Sequence, residues 1–354
     1  MQEIQEGQWG LRLTRLLLGG WDESEIASAQ RELDGSRDIV LKWCALNVIT
    51  IRALTKLKTY GMQLPSSLEE QLRSEQERVH GGMEVIREVS QWCEDKGIPF
   101  VVMKTLDQYP DQGHDIDIFI DEGLPELDTI FQKQMGGEVL KRSLCDRLAQ
   151  KVNYKLPNGF VLELHCTRLG QVGEHRRLGV EILRQRRAVS VAGVQTFAPP
   201  PEGQLLFAVL QRIYRHFNFR ICDVVNMTRI ATEGGLRLSV LEKLSQPAGI
   251  YPGTMMSLVW LQRLVASMGF TELANKFPEL PRVPAHDLDL TFTHNFFRFS
   301  LGQVVPTVYA REVLTYLRQL SMASVGRLVA LVPIIAIVGL NTRVFPTVRM
   351  GRFW

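Results

Sequence analysis

The hydrophobic pattern of this chain changes period twice. Up to residue 97, apolar positions recur at three- and four-residue steps, and Val79, Met83, Ile86, Val89 and Cys93 share one face of a helix. That helix opens at Pro65-Ser66-Ser67-Leu68-Glu69-Glu70, where Ser66/Glu69 and Ser67/Glu70 both have capping-box spacing, and Gly97 is placed to end it. From residue 98 the period shortens to two. Residues 98–104 read as a short buried strand with Pro99 near its start, and a polar loop at 106–113 leads into a second strand at 114–120. A helix follows at 124–135, opened by Pro125 and closed by Gly136-Gly137. Alternation resumes at 151–156 and 160–166 around Pro157-Asn158-Gly159, a hairpin signal in which Asn and Gly both take positive φ.

The helical period returns after Pro199-Pro200-Pro201. Leu205, Leu206, Val209, Leu210, Ile213 and Tyr214 form a stripe, and the chain reads as mostly helical to about residue 320, with prolines at 277–284 as punctuation. The expected division is a helical region at 1–97, an α/β core at 98–198, and a mainly helical domain with a basic and aromatic tail at 199–354. The fold class is α+β, with a small mixed, mainly antiparallel sheet and helical regions on both sides in sequence. The apolar run at 328–340 contains Pro333 and is shorter than the ~18–20 residues of a membrane span. It reads as a core helix, and the Arg, Phe and Trp tail at 343–354 as a packed extension. A peripheral contact of this end with a membrane surface is the alternative.

Composition changes this picture little. The 354 residues are 45% hydrophobic and 22% charged, an ordinary globular balance, and a net charge of +3 does not argue for nucleic acid. The 5 cysteines are scattered, with no CxxC pair, as in reduced thiols of a cytoplasmic protein. The first residues include acids and no apolar core, unlike a secretory signal.

The candidate chemistry lies in the alternating segment. In His114-Asp115-Ile116-Asp117-Ile118-Phe119-Ile120 both aspartates project from one face while the isoleucines bury on the other. Two like charges side by side suit a divalent cation, and hard oxygen ligands suit Mg²⁺ or Mn²⁺. A strand end pointing into water is the competing reading. On the later strand Val161, Glu163 and His165 share a face, and a carboxylate between leucines needs a partner. Brought together, Asp115, Asp117 and Glu163 could hold two metal ions for in-line phosphoryl displacement, moving a nucleotide from a triphosphate to a hydroxyl, with Glu163 also placed to accept the hydroxyl proton. Lys104 is a candidate phosphate ligand or a surface lysine. His165 is a substrate contact or a hydrogen-bonded structural histidine. Asp223 suits a capping or core-polar role, and the arginines from Arg176 to Arg187 suit phosphate contacts or a solvated helix face. His286, Asp287 and Asp289 lack metal-ligand spacing.

The order Phe100-Val101-Val102-Met103-Lys104-Thr105, Tyr109-Pro110, Asp115-Ile116-Asp117-Ile118, Leu162-Glu163-Leu164-His165 resembles the DNA polymerase beta-type nucleotidyltransferase superfamily. More narrowly it is similar to uncharacterised bacterial "nucleotidyltransferase family" proteins, over about residues 80–230. The resemblance implies an enzyme that binds Mg²⁺ or Mn²⁺ through Asp115, Asp117 and Glu163. It also implies a nucleoside triphosphate such as ATP, held by Lys104, Thr105, His114 and His165, and a hydroxyl acceptor on a small molecule, a protein or RNA. Where the narrower group has Lys-Gly this chain has Lys104-Thr105-Leu106, and His114 stands where an arginine is usual. Those departures sustain a second reading, a non-catalytic relative serving as a binding or accessory protein. A glycosyltransferase with an Asp-x-Asp site is a third, disfavoured by the helices that precede the motif and by the third acid at Glu163.

Overall fold

Four helices precede the first strand in the computed structural model, which describes residues 2–122, 132, 135–233, 235–280, 291–293, 296–298 and 301–329. They are Gln2–Leu18, Glu23–Asn47, Thr50–Thr59 and Ser66–Asp95. The last ends at Gly97 as expected, with Gly97 N donating to Glu94 O and Ile98 N to Cys93 O. Its start differs from the expectation. Neither capping box forms, because Pro65 itself is the cap and its carbonyl accepts from Leu68 N and Glu69 N, while Glu69 pairs with Lys58 at 3.2 Å. A reciprocal capping box exists instead at Asp22 and Glu25.

The central sheet runs in the order β1 (Phe100–Val102), β2 (Asp115–Ile120), β5 (Val161–Cys166), β4 (Lys151–Lys155), β3 (Glu138–Val139). Every pairing is antiparallel except β2 with β5. The α+β class and the mixed, mainly antiparallel sheet are therefore as expected. Strand β1 is shorter than expected, because Lys104–Asp107 coils into one helical turn directly after Met103, whose N–H still donates to Asp117 O at 2.9 Å. The β4–β5 hairpin forms, but through the three residues Pro157, Asn158 and Gly159. Only Gly159 takes positive φ, while Asn158 accepts a hydrogen bond from Phe160 N at 3.3 Å.

One face of the sheet is dry. Ile116, Ile118 and Ile120 are fully buried, each contributing on the order of 2 kcal/mol, and they join an apolar cluster that runs from Trp9 to Val308. The helix Arg176–Arg184 crosses the far end of the opposite face, where Gly179 lies directly on the Phe119 ring. Strands β6 (Arg187–Val191) and β7 (Val194–Ala198) form a separate ribbon, joined to the helix Ser66–Asp95 by a 2.7 Å hydrogen bond between Ser90 and Thr196.

Beyond the prolines come the helices Pro201–Gln211, Ile221–Thr232, Leu238–Ser245, Tyr251–Ser267, Thr271–Ala274 and Leu301–Arg318. A three-stranded sheet missed by the sequence reading interrupts them, in the order β8 (Asn218–Phe219), β10 (Phe296–Arg298), β9 (Thr291–Thr293). Two- and three-residue strands are too short to show a period. Among the described residues no helix is long and apolar enough to cross a membrane. The expected helix at 124–135, apart from residues 132 and 135, lies outside the described residues, as do His286, Asp287, Asp289, the run from 330 to 340 and the 343–354 tail.

Arg52 ties these regions together. Its Nε donates to Asp111 Oδ2 at 2.7 Å and its Nη1 to Asn226 Oδ1 at 2.7 Å, linking the N-terminal helices, the loop before β2 and the helix Ile221–Thr232. Asp111 also accepts from Ile51 N, and Arg78 holds the carbonyls of Gln112 and Gly113. The loop that aims β2 is thus fixed from two sides.

Candidate functional site

The parallel pairing of β2 with β5 is what builds the site. Asp117 is the direct register partner of Glu163, Asp115 of Val161 and Phe119 of His165, so the acidic face of β2 continues onto β5. The backbone of Asp117 is clamped by the turn after β1, its N–H donating to Thr105 Oγ1 at 3.1 Å. Thr105 is buried, and its hydroxyl is engaged in placing Asp117.

Around the acids stand three basic side chains. His165 Nε2 lies 2.7 Å from Glu163 Oε1 and 3.5 Å from Asp117 Oδ1. Lys104 Nζ is 2.7 Å from Asp117 Oδ1, and Lys151 Nζ is 2.6 Å from Glu163 Oε2. Burial alone would raise the Glu163 carboxyl, yet the His165 hydrogen bond and the Lys151 charge hold it well below the usual carboxylate range. Asp115, at the open end of the strand, is pushed up to about 6, by desolvation first and then by the charges of Asp117 and Glu163. Asp117, Glu163 and His165 each offer a ligand atom within 4.8 Å of the others. Asp115 is not one of that close trio; it sits one pleat nearer the mouth beside exposed His114.

A second set of cations comes from the C-terminal helices. After Pro201–Gln211 the chain makes a π-turn, Arg212–His216, a distortion frequent at functional sites. Arg212 is fully buried with Nε 2.7 Å from Asp223 Oδ2, while its Nη2 has no hydrogen-bond partner. Asp223 also accepts from Arg220 N at 2.8 Å, which fulfils the capping role expected of it. Burial and the nearby charges of Arg212, Arg215, Arg220 and Lys104 drive His216 far below its ordinary range. Burial and Arg212 lower Arg220 as well, and the charge of Asp115 reaches it. His216 thus lies within electrostatic reach of Lys104, and Arg220 within that of Asp115.

Of the residues expected at the site, Lys104, Thr105, Asp117, Glu163 and His165 come together in direct contact, with Asp115 and His114 at the rim. Lys151 was missed, although it pairs with His165 across the hairpin and so had to share its face. Arg220 was missed because no local period marks it. The arginines singled out instead lie elsewhere: Arg176, Arg177 and Arg184 are exposed, Arg184 pairs with Glu181, and Arg186 stacks over Phe197 at 5.0 Å.

No family model matches this chain, and no curated protein matches it. Among solved structures, it is similar to an antigenic nucleotidyltransferase-like protein from Paracoccidioides brasiliensis, with 18% identity and a TM-score of 0.35 over 52% of this chain and 90% of that one. A tRNA-processing enzyme is more distant, with 15% identity and a TM-score of 0.27 over 60% of this chain and 59% of that one. Likeness at this level establishes neither family nor activity. What stands is an α+β fold with residues that could hold a divalent metal on one sheet face.

Proposed function

We propose that this protein belongs to the DNA polymerase beta-type nucleotidyltransferase superfamily and moves a nucleoside monophosphate from a triphosphate to a hydroxyl, with Mg²⁺ or Mn²⁺. The observation that carries the reading is the register of Asp117 beside Glu163 on parallel strands, with His165 on the same face. The carboxylates of Asp117 and Glu163 are hard oxygen ligands that suit such an ion, with Asp115 supplying a third at the open side. When bound, the metal neutralises polyphosphate charge and makes the acceptor hydroxyl more acidic. Asp115, Asp117 and Glu163 would hold it, and His165 keeps the Glu163 carboxylate oriented. Lys104, Arg215 and Arg220 bind and orient the triphosphate as point charges and forked donors. Glu163 would complete the metal's shell and accept the acceptor's proton. The acceptor is a small molecule, a protein side chain or an RNA end.

Incubation with each labelled triphosphate and Mg²⁺ or Mn²⁺, over a panel of hydroxyl acceptors, tests this. Asp115→Asn with Asp117→Asn should cut transfer about 100-fold or more while leaving the fold intact. Equal transfer by the double variant would sink the two-metal assignment. One observation favours a second reading. Lys104 and Lys151 already neutralise Asp117 and Glu163 at 2.7 and 2.6 Å, as in a metal-independent binding module. Calorimetry separates the two: nucleotide affinity that ignores Mg²⁺, with no transfer, supports the binding module.

A further inference from the structure

A second cluster of metal-ligating groups lies outside this site and is more deeply enclosed. Glu174 and His175 stand on the loop between β5 and the helix Arg176–Arg184, and Glu312 reaches them from the helix Leu301–Arg318. Their side chains are 3%, 0% and 0% exposed. His175 Nε2 is 3.2 Å from Glu312 Oε1 and 3.7 Å from Glu174 Oε1, and the three ligand atoms lie within 4.8 Å of one another. Among the described residues neither Glu312 oxygen has a hydrogen-bond partner, nor does His175 Nε2. Among the described residues no lysine or arginine pairs with either glutamate.

The rest of the loop is built to hold these groups still. Backbone N–H groups of Gln171 and Val172 donate to the two Glu174 oxygens at 3.1 and 2.9 Å. Gly170, at φ +94, leaves the space that the Glu174 carboxylate fills, since a Cβ there would stand 2.2 Å from its carboxyl carbon. His175 Nδ1 is 2.7 Å from the hydroxyl of Tyr316, one helical turn beyond Glu312. Engagement of one ring nitrogen by a neighbouring oxygen, leaving the other free, is the usual arrangement of a metal-ligating histidine.

Buried carboxylates need a counter-charge or a proton. One proton on Nε2 serves a single oxygen and leaves the other Glu312 oxygen orphaned, whereas one cation satisfies Nε2 and both glutamates at once. We propose that Glu174, His175 and Glu312 form a divalent transition-metal site, best suited to zinc, that clasps the helix Leu301–Arg318 to the loop after β5. The imidazole ligand and the dry surroundings disfavour Mg²⁺, which retains several waters. A set of one nitrogen and two carboxylates leaves one tetrahedral position for a single water.

The test uses the full chain carrying Asp117→Asn and Glu163→Gln, which disables the sheet-face cluster. After zinc loading and desalting, elemental analysis should find about one zinc per chain, and zinc should raise the melting temperature by about 5 °C. Adding Glu312→Gln, nearly the same shape, should abolish both, with circular dichroism reporting an unchanged fold. Zinc retained in full by the Glu312→Gln chain would overturn the proposal, as would its absence before that change. Should the substituted chains fail to fold, anomalous diffraction from zinc-soaked crystals of the unaltered protein decides. A peak between His175 and Glu312 supports the site, and its absence there overturns it.

Discussion

Asp107 shows how a single side chain can set a pH dependence. Among the described residues one of its carboxylate oxygens is buried without a hydrogen-bond partner, and burial pushes the carboxyl from an ordinary 3.8 up to about 7, against the opposing pull of Arg229 and Arg187. The folded protein therefore binds this proton more tightly than the unfolded chain. Its contribution favours folding at low pH, fades as pH rises from about 4 to 7, and is constant above. Asp107→Asn should match the parent near pH 4 and exceed it at pH 8 by about 1–2 kcal/mol, read from paired urea titrations. No gain at pH 8 would mean that the carboxylate is hydrated in the folded state.

Among the elements, the helix Arg176–Arg184 decides how much of the acidic sheet face stays open. It lies over Phe119, two residues past Asp117, at a point where a Cβ on Gly179 would come within 2.4 Å of the ring. Gly179→Ala should therefore lift the helix or turn the ring, at a cost of about 1–3 kcal/mol in denaturant unfolding. An unchanged midpoint would show that the helix can shift freely. The sequence left its arginines between phosphate contacts and a solvated helix face, and the structure gives the second. They face solvent, whereas Arg220, whose surroundings include the charge of Asp115, lies beyond the next helix and a π-turn that breaks the period sequence reading relies on.

Across the whole molecule, one polar hub joins segments far apart in sequence. Arg52 connects Asp111 to Asn226, so the N-terminal helices, the loop that enters β2 and the helix Ile221–Thr232 move as one. Arg52→Ala leaves Asp111 buried without its cation and should cost about 3–5 kcal/mol. Hydrogen exchange should then rise in the 106–113 loop and in the 221–232 helix together. Exchange rising in one alone would show that the hub does not couple them.

Alternation by itself determined which residues share a face. The aspartates opposite the isoleucines, and Glu163 with His165, follow from a period of two, and the Asn-Gly turn joined β4 to β5 without help from the rest of the chain. What period cannot carry is which strands become neighbours. The parallel seating of β2 on β5, which sets Asp117 beside Glu163, depends on a crossover of many residues. The pairing of Arg52 with Asn226, and the approach of Glu312 towards His175, span still longer separations. Such contacts are chosen by burial of the shared apolar core, a global free energy that no local stretch of sequence contains.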